Sequence, residues 1–118
     1  MRSSPPWSPL AMSRCRRCEP VPEEVRQTAD LLERRWQISI VYAALSGALR
    51  FNEFADAVSG ISPRMLAERL RDLEAAGLID RTVIPSSPPT VEYRLTARGQ
   101  RLGPIIDAMR AYAREPVG

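Results

Sequence analysis

The sequence predicts a mainly α-helical fold with one small β-hairpin, in the order α-α-α-α-β-β-α. Three observations predict it. Apolar residues recur at helical spacing in four segments between residues 22 and 76. Two short runs that follow alternate apolar and polar residues, as half-buried strands do. A last amphipathic stretch closes the chain. With 118 residues, the chain is long enough for one domain with one core.

The N-terminal segment differs in composition from the rest of the chain. Residues 1–21 are rich in proline, serine and arginine and carry no apolar periodicity, so we expect a disordered arm there. We expect one folded domain over residues 22–115. Translation could begin at Met1 or at Met12, and the sequence leaves both open.

Two helices are predicted first. Pro22 suits the first turn of a helix over residues 22–34, because an N–H is not needed there. The second helix, over 36–46, is apolar on most sides and is therefore expected at the centre of the core. Gly47 should end it.

The next two helices lie close together along the chain. A short helix is predicted over 52–58 and a longer one over 63–76, with Ser62 as the N-cap and Pro63 in the first turn. The buried seam of the longer helix is formed by Leu66, Leu70 and Leu73. Two helices joined by so short a turn are typical of a helix-turn-helix, which most often binds DNA.

A hairpin and a final helix complete the pattern. Strands are predicted over Leu78–Ile84 and Val91–Leu95, and the proline-rich connector between them should be an exposed loop. The last helix runs from a cap at Thr96 to about residue 114, and Gly103-Pro104 should bend or restart it. A helix-turn-helix followed by a hairpin is a winged helix-turn-helix.

Several motifs along this pattern resemble the HxlR family of bacterial transcriptional regulators, which is related to the MarR class. The resemblance covers residues 36–113. Its motifs are Arg50-Phe-Asn-Glu-Phe54, Gly60-Ile-Ser-Pro-Arg-Met-Leu66, Glu68-Arg-Leu-Arg-Asp-Leu-Glu74, Gly77-Leu-Ile-Asp-Arg81, Pro88-Pro-Thr-Val-Glu-Tyr-Arg-Leu-Thr96 and Arg98-Gly99. The resemblance implies a homodimer that binds an operator, with the first and last helices as the dimer interface.

The chain departs from the family pattern at three places. Glu23 stands where the family usually has a cysteine, and Cys18 lies five residues earlier. Ala67 stands where a threonine or serine is frequent. Thr90 stands where the wing often carries a basic residue. The last two departures imply a different base readout on the same fold.

Candidate DNA contacts follow from the helical wheel of the 63–76 helix. At about 100° per residue, Arg64, Glu68 and Arg71 fall opposite the leucine seam. Arg64 is the candidate for guanine, since arginine bonds guanine bidentately, and Arg71 is the candidate for phosphate. The alternative is that these residues form an ordinary solvated helix face. The complete predicted set is Arg50, Asn52, Ser62, Pro63, Arg64, Ala67, Glu68, Arg71, Arg81, Ser86, Ser87 and Thr90.

The terminal helices provide the candidate dimer interface. The apolar stripe of the last helix is wider than a small intramolecular contact requires. The alternative is that the last helix folds onto its own domain, against Trp36. The predicted interface residues are Val25, Ala29, Leu32, Leu102, Ile105, Ile106, Met109 and Tyr112.

Composition argues against an enzyme. Histidine and lysine are both absent, which removes histidine-based acid–base chemistry, lysine chemistry and histidine-ligated metal sites. We therefore expect no enzymatic activity, no cofactor and no metal. Cys15 and Cys18 are a candidate redox pair, and the alternative is an inert reduced pair. No signal peptide or membrane span is apparent, so a cytoplasmic location is expected.

The predicted function is sequence-specific DNA binding by a homodimeric transcriptional regulator, a repressor, on a pseudo-palindromic operator. The expected partners are double-stranded DNA, a second copy of the chain, and an inducer that is either a small molecule or an oxidant. The alternative is a winged-helix module that binds protein and not DNA; a neutral or acidic face around Arg64 and Arg71 would favour it.

Overall fold

The computed structural model describes residues 19–116. The chain divides into two units between Asp30 and Leu31, and each is described by itself. The elements are α1 (Glu23–Glu33), α2 (Gln37–Leu45), α3 (Phe51–Ala57), α4 (Pro63–Ala75), β1 (Ile79–Ile84), β2 (Thr90–Leu95), α5 (Ala97–Gln100) and α6 (Gly103–Arg114). The mainly helical architecture with one antiparallel hairpin is confirmed. None of the helices in residues 19–116 has the length and apolar character to cross a membrane.

The first unit contains most of α1. The carbonyl of Pro22 accepts the N–H groups of Val25 and Arg26 at 3.0 and 3.1 Å, which starts the helix where the proline predicts it. The hydroxyl of Thr28 donates to the carbonyl of Glu24 at 2.9 Å. The acidic first turn, Glu23 and Glu24, complements the positive end of the helix dipole.

The second unit is built around α2. Ile40 and Val41 are completely buried, and α2 contacts α3, α4, β2 and α6. This confirms the central position that its all-round apolar pattern predicts. The buried core comprises Ile40, Val41, Ala43, Phe54, Val58, Leu66, Leu70, Leu73, Leu78, Ile79, Leu102 and Ile106.

The start of α2 differs from the prediction. The helix begins at Gln37, because Trp36 has φ of 77° and lies in the left-handed region. A residue other than glycine rarely adopts this conformation, so tertiary contacts must hold Trp36 there. The Oε1 atom of Gln37, which is buried, has no hydrogen-bond partner among the described residues.

The predicted start of α4 at Pro63 is confirmed, and the helix ends at Ala75, one residue before the predicted end. The Oγ atom of Ser62 accepts the N–H of Met65 at 3.1 Å, and Pro63 occupies the first turn. Gly77, at φ of 76°, follows the C-terminal end. The leucine seam, Leu66, Leu70 and Leu73, is at most 1% exposed and fixes this helix against the core.

The hairpin is in register from Ile79 opposite Leu95 to Ile84 opposite Thr90. Residues 85–89 form the exposed loop that the prolines predict. The N–H of Tyr93 donates to the carbonyl of Leu49 at 2.7 Å, outside the two-stranded ladder. The hairpin is therefore joined by a hydrogen bond to the segment that precedes α3.

The C-terminal region is divided into two helices. Arg101 and Leu102 separate α5 from α6, and Pro104 lies in the first turn of α6. Of the two outcomes predicted for Gly103-Pro104, a bend or a restart, the structure shows a restart. Two residues predicted for the dimer interface, Leu102 and Ile106, belong to the core of their own chain. Their side chains are 7% and 4% exposed, so they offer little surface to a partner subunit.

Candidate nucleic-acid interface

The outward face of α4 carries the principal candidates. Arg64, Glu68 and Arg71 are exposed, opposite the buried leucine seam, whereas Ala67 is half-buried. Ser62 and Pro63 are exposed at the N-terminal end of the helix, although the Ser62 hydroxyl is already used as the cap. The list that the helical wheel predicts thus lies on one accessible side of α4.

The start of α3 is organised by a carboxylate that the sequence analysis did not select. One oxygen of Glu53 accepts the N–H groups of Leu49 and Arg50, each at 2.9 Å. These two hydrogen bonds hold the pKa of Glu53 below its ordinary value, and the bond from Leu49 has the larger effect. Arg50 occupies the N-cap position and is exposed, as is Asn52. A glutamate three residues after the N-cap is the signal that could have identified Glu53.

The wing presents a smaller polar set. Arg81 lies exposed on β1, and Ser86 and Ser87 are exposed in the loop. The hydroxyl of Ser86 donates to the carbonyl of Pro88 at 2.6 Å, which leaves its oxygen free to accept. Thr90 is half-buried as the first residue of β2.

Two contacts bring the wing and the helix-turn-helix together. Tyr93 donates to Leu49, directly before Arg50, and its ring meets that of Phe54 edge-on with 6.2 Å between centroids. The carboxylate of Glu53 holds the N–H of the same Leu49. Arg50 is therefore anchored through its backbone to both α3 and β2.

The exposed arginines of the interface are separate from the ion pairs of the fold. Within residues 19–116, the ion pairs use the guanidinium groups of Arg34, Arg69 and Arg94. None of them uses Arg64 or Arg71, and none joins Arg64 to Glu68. The two α4 guanidinium groups keep the donors that a phosphate or a guanine would accept.

Arg69 has a different role from its neighbours on α4. Its side chain is only 15% exposed and bonds Asp72 at 2.9 Å, while its Nε–H donates to the carbonyl of Arg35 at 3.0 Å. The sequence analysis did not select Arg69. The acid three residues along the helix was the available signal.

The terminal helices keep an exposed apolar surface. On α6, Ile105, Met109 and Tyr112 are 37%, 44% and 81% exposed. On α1, Val25 and Leu32 are exposed and Ala29 is half-buried. These six residues of the predicted interface are exposed or half-buried, whereas the other two, Leu102 and Ile106, are buried.

A cleft lies between α2 and α6. Its volume is about 370 Å³, and Ile38, Tyr42, Ile106 and Met109 supply most of its apolar wall. Arg110 stands at its edge, with the guanidinium carbon 5.6 Å from the centre of the Tyr42 ring. The candidate redox pair, Cys15 and Cys18, lies outside the described residues.

Comparison with known proteins places these features in a family. A model described as HxlR-like helix-turn-helix matches residues 31–117. The HTH-type transcriptional regulator YvaP of Bacillus subtilis is 40% identical over 89 residues, which are 75% of this chain and 82% of YvaP.

Solved structures agree with the family match. The reduced form of the transcriptional regulator YodB from Bacillus subtilis has a TM-score of 0.73 and 34% identity, over 83% of this chain and 99% of YodB. The redox regulator HypR in its oxidised form has a TM-score of 0.71 and 38% identity, over 80% of this chain and 99% of HypR. These relatives are regulators and not enzymes. The chain therefore belongs to the HxlR-like helix-turn-helix family and is a DNA-binding transcriptional regulator.

Proposed function

We propose that the protein is a homodimeric repressor that binds a pseudo-palindromic operator and reads bases with the outward face of α4. The observation that carries the proposal is the exposure of Arg64 and Arg71 on that face, opposite a leucine seam that is at most 1% exposed. A helix held rigidly from one side can enter a major groove with the other.

The individual contacts follow from position and chemistry. Arg64, in the first turn of α4, takes guanine O6 and N7, and Glu68 either accepts from a cytosine N4 amine or orients Arg64. Arg71 lies further along the helix and takes a phosphate. Arg50 and Asn52 take the backbone beside the groove, and the wing residues Arg81, Ser86, Ser87 and Thr90 contact the minor groove or its phosphates.

The dimer in this proposal is formed by the terminal helices. The exposed stripes of α1 and α6 supply apolar area that a partner subunit would cover, which supports an interface between two copies. In such a dimer the two α4 helices lie about 34 Å apart, so that each enters a major groove on the same side of the duplex. Equilibrium sedimentation tests the stoichiometry directly.

Selection of bound genomic fragments, followed by footprinting, tests the proposal as a whole. We expect a protected site with two related half-sites, and an affinity that falls steeply with salt. Absence of any preferred site at low salt would refute it. The Arg64→Ala variant should lose about 1–3 kcal/mol of operator affinity, roughly 5- to 150-fold, and should discriminate less at one base pair of each half-site. Arg101→Ala, which removes an exposed arginine from the junction between α5 and α6, is the control.

We propose that an inducer, either an oxidant or an apolar small molecule, controls DNA binding. HypR, described as a redox regulator, supports an oxidant, with Cys15 and Cys18 as the thiols available in this chain. The cleft between α2 and α6 supports an apolar small molecule. Fragment selection with and without oxidant, on the wild type and on a Cys15→Ser/Cys18→Ser variant, separates the two. The proposal assigns no catalytic step, cofactor or metal.

A further inference from the structure

The corner between α1 and α2, Arg34–Trp36, is attached to α4 at several points. Arg34 Nη1 lies 3.0 Å from Asp72 Oδ2, and Arg69 Nη1 lies 2.9 Å from the same oxygen. Arg69 also donates through Nε to the carbonyl of Arg35 at 3.0 Å. One carboxylate oxygen of Asp72, on the proposed recognition helix α4, thus accepts hydrogen bonds from two arginines. One of them, Arg69, also donates to the backbone of the corner.

Trp36 lies beside the helix-turn-helix and packs against the core. Its Cη2 atom is 3.6 Å from the point where a Cβ on Gly60 would be, so the ring borders the turn between α3 and α4. The backbone of Trp36 is in the left-handed region, with φ of 77°. The guanidinium carbon of Arg35 lies 4.6 Å from the centre of the Trp36 ring. The corner therefore combines a backbone conformation that is costly for a residue other than glycine with a cation–π contact between its own side chains.

The position of the corner gives these contacts a consequence. It directly follows α1, the helix assigned to the dimer in the proposed function, and it is bonded to Arg69 and Asp72 of α4 while it borders the turn. The cluster lies to one side of α4, so Asp72 is 30% exposed while Arg64 and Arg71 stay accessible. A single surface ion pair would add little to stability. Here Asp72 binds two arginines, and one of them also bonds the corner backbone, so together these bonds restrain the orientation of α4 relative to the corner.

We propose that Asp72, with Arg34 and Arg69, is a positioning residue that sets the orientation of the recognition helix relative to the end of α1, and thereby the spacing between half-sites that the dimer accepts. The inference rests on the proposed homodimer. In this inference each α4 is restrained by the corner of its own subunit as well as by the leucine seam. The restraint limits how far α4 can rotate to reach a half-site at a different spacing. None of the three residues needs to touch DNA.

The test compares two operators that differ by one base pair inserted between the half-sites. The insertion rotates one half-site by about 34° and displaces it by about 3.4 Å. We expect the wild type to prefer the natural spacing, and Asp72→Asn to lose roughly 2- to 30-fold of that preference, the range usual for coupling through a contact network. Glu74→Gln is the matched control: it removes one carboxylate from an exposed position of the same helix and should keep the wild-type preference.

A second variant covers the case in which Asp72→Asn does not fold. Arg34→Gln, at a side chain that is 55% exposed, removes one arm of the cluster and leaves the Arg69–Asp72 pair. It should also reduce the preference by itself. Where Asp72→Asn does fold, the double variant should lose no more of the preference than Asp72→Asn alone. A purely stabilising role would lower the melting temperature and leave the ratio of the two affinities unchanged.

The outcomes are distinguishable. Unchanged spacing preference in folded Asp72→Asn or Arg34→Gln overturns this inference and leaves the proposed function intact. A wild type that binds one half-site with no dependence on spacing refutes the homodimeric operator model, and this inference with it. Loss of preference in Glu74→Gln as well would assign the effect to charge alone and would also overturn the inference.

Discussion

Two neighbouring residues of α4 should give opposite phenotypes. Leu70 is 1% exposed in the core, and Arg71, the next residue, is exposed. Leu70→Ala removes a fully buried side chain, which costs about 2–5 kcal/mol. A domain of this size has about 5–15 kcal/mol of stability in total, so the variant loses a large part of it. A central value of about 3 kcal/mol, at about 4–8 °C per kcal/mol, lowers Tm by about 12–24 °C.

Arg71→Ala should leave the fold intact and change DNA binding. Its side chain contacts no described acid by ion pairing, so stability should change by less than about 0.5 kcal/mol. If Arg71 meets a phosphate, the slope of log affinity against log salt should fall by about one unit, equally for all operator sequences. Leu70→Ala, measured well below its Tm, should keep the wild-type slope.

Urea unfolding and salt-dependent fluorescence anisotropy on a labelled operator measure both quantities for both variants. The reasoning requires that the two effects separate. If Arg71→Ala were destabilised as strongly as Leu70→Ala, the outward face of α4 would be part of the core. If its salt slope equalled that of the wild type, Arg71 would not lie at the duplex, and the placement of α4 in the groove would be wrong.

Three further predictions concern α3, α5 and α6. Gly99→Ala should lower the free energy of unfolding by about 1–3 kcal/mol in urea, because the added Cβ would overlap the carbonyl oxygen of Leu78. That carbonyl accepts the N–H of Thr96 at 3.0 Å. Ala97→Gly, at an exposed position, is the control. Lowering the pH below 4.5 should destabilise the wild type more than Glu53→Gln, because a carboxyl with a depressed folded pKa stabilises the fold above its ordinary pKa and loses this as it is protonated; parallel pH profiles would contradict this. Tyr112→Ser, at a side chain 81% exposed, should weaken the dimer in sedimentation without lowering monomer stability, and an unchanged dimer would remove Tyr112 from the interface.

The helix-turn-helix was predictable because its signals are local. Ser62, Pro63 and Gly77 are start and stop residues whose effect depends on the nearest few positions, and the structure places them as predicted. The leucine seam repeats at the helical period and is buried. The alternation in the second strand likewise predicted β2 to within one residue of its start.

The C-terminal stripe shows where local pattern stops being sufficient. Its periodicity correctly identified Leu102, Ile105, Ile106 and Met109 as apolar positions of one region. Periodicity does not say what covers each position, and the structure divides them between the chain's own core, for Leu102 and Ile106, and the exposed surface, for the others. Deciding this requires the distance and angle at which α6 meets α2.

The sequence by itself therefore determined the order of helices and strands, the caps of α4 and its buried seam, because each depends on residues only a few positions apart. Only the tertiary structure decided that Trp36 leaves the helix for the left-handed region, and that Asp72 bonds an arginine 38 positions earlier in the chain. Such contacts join segments that meet only when a common core is buried. The spacing of apolar residues within one segment therefore does not predict them.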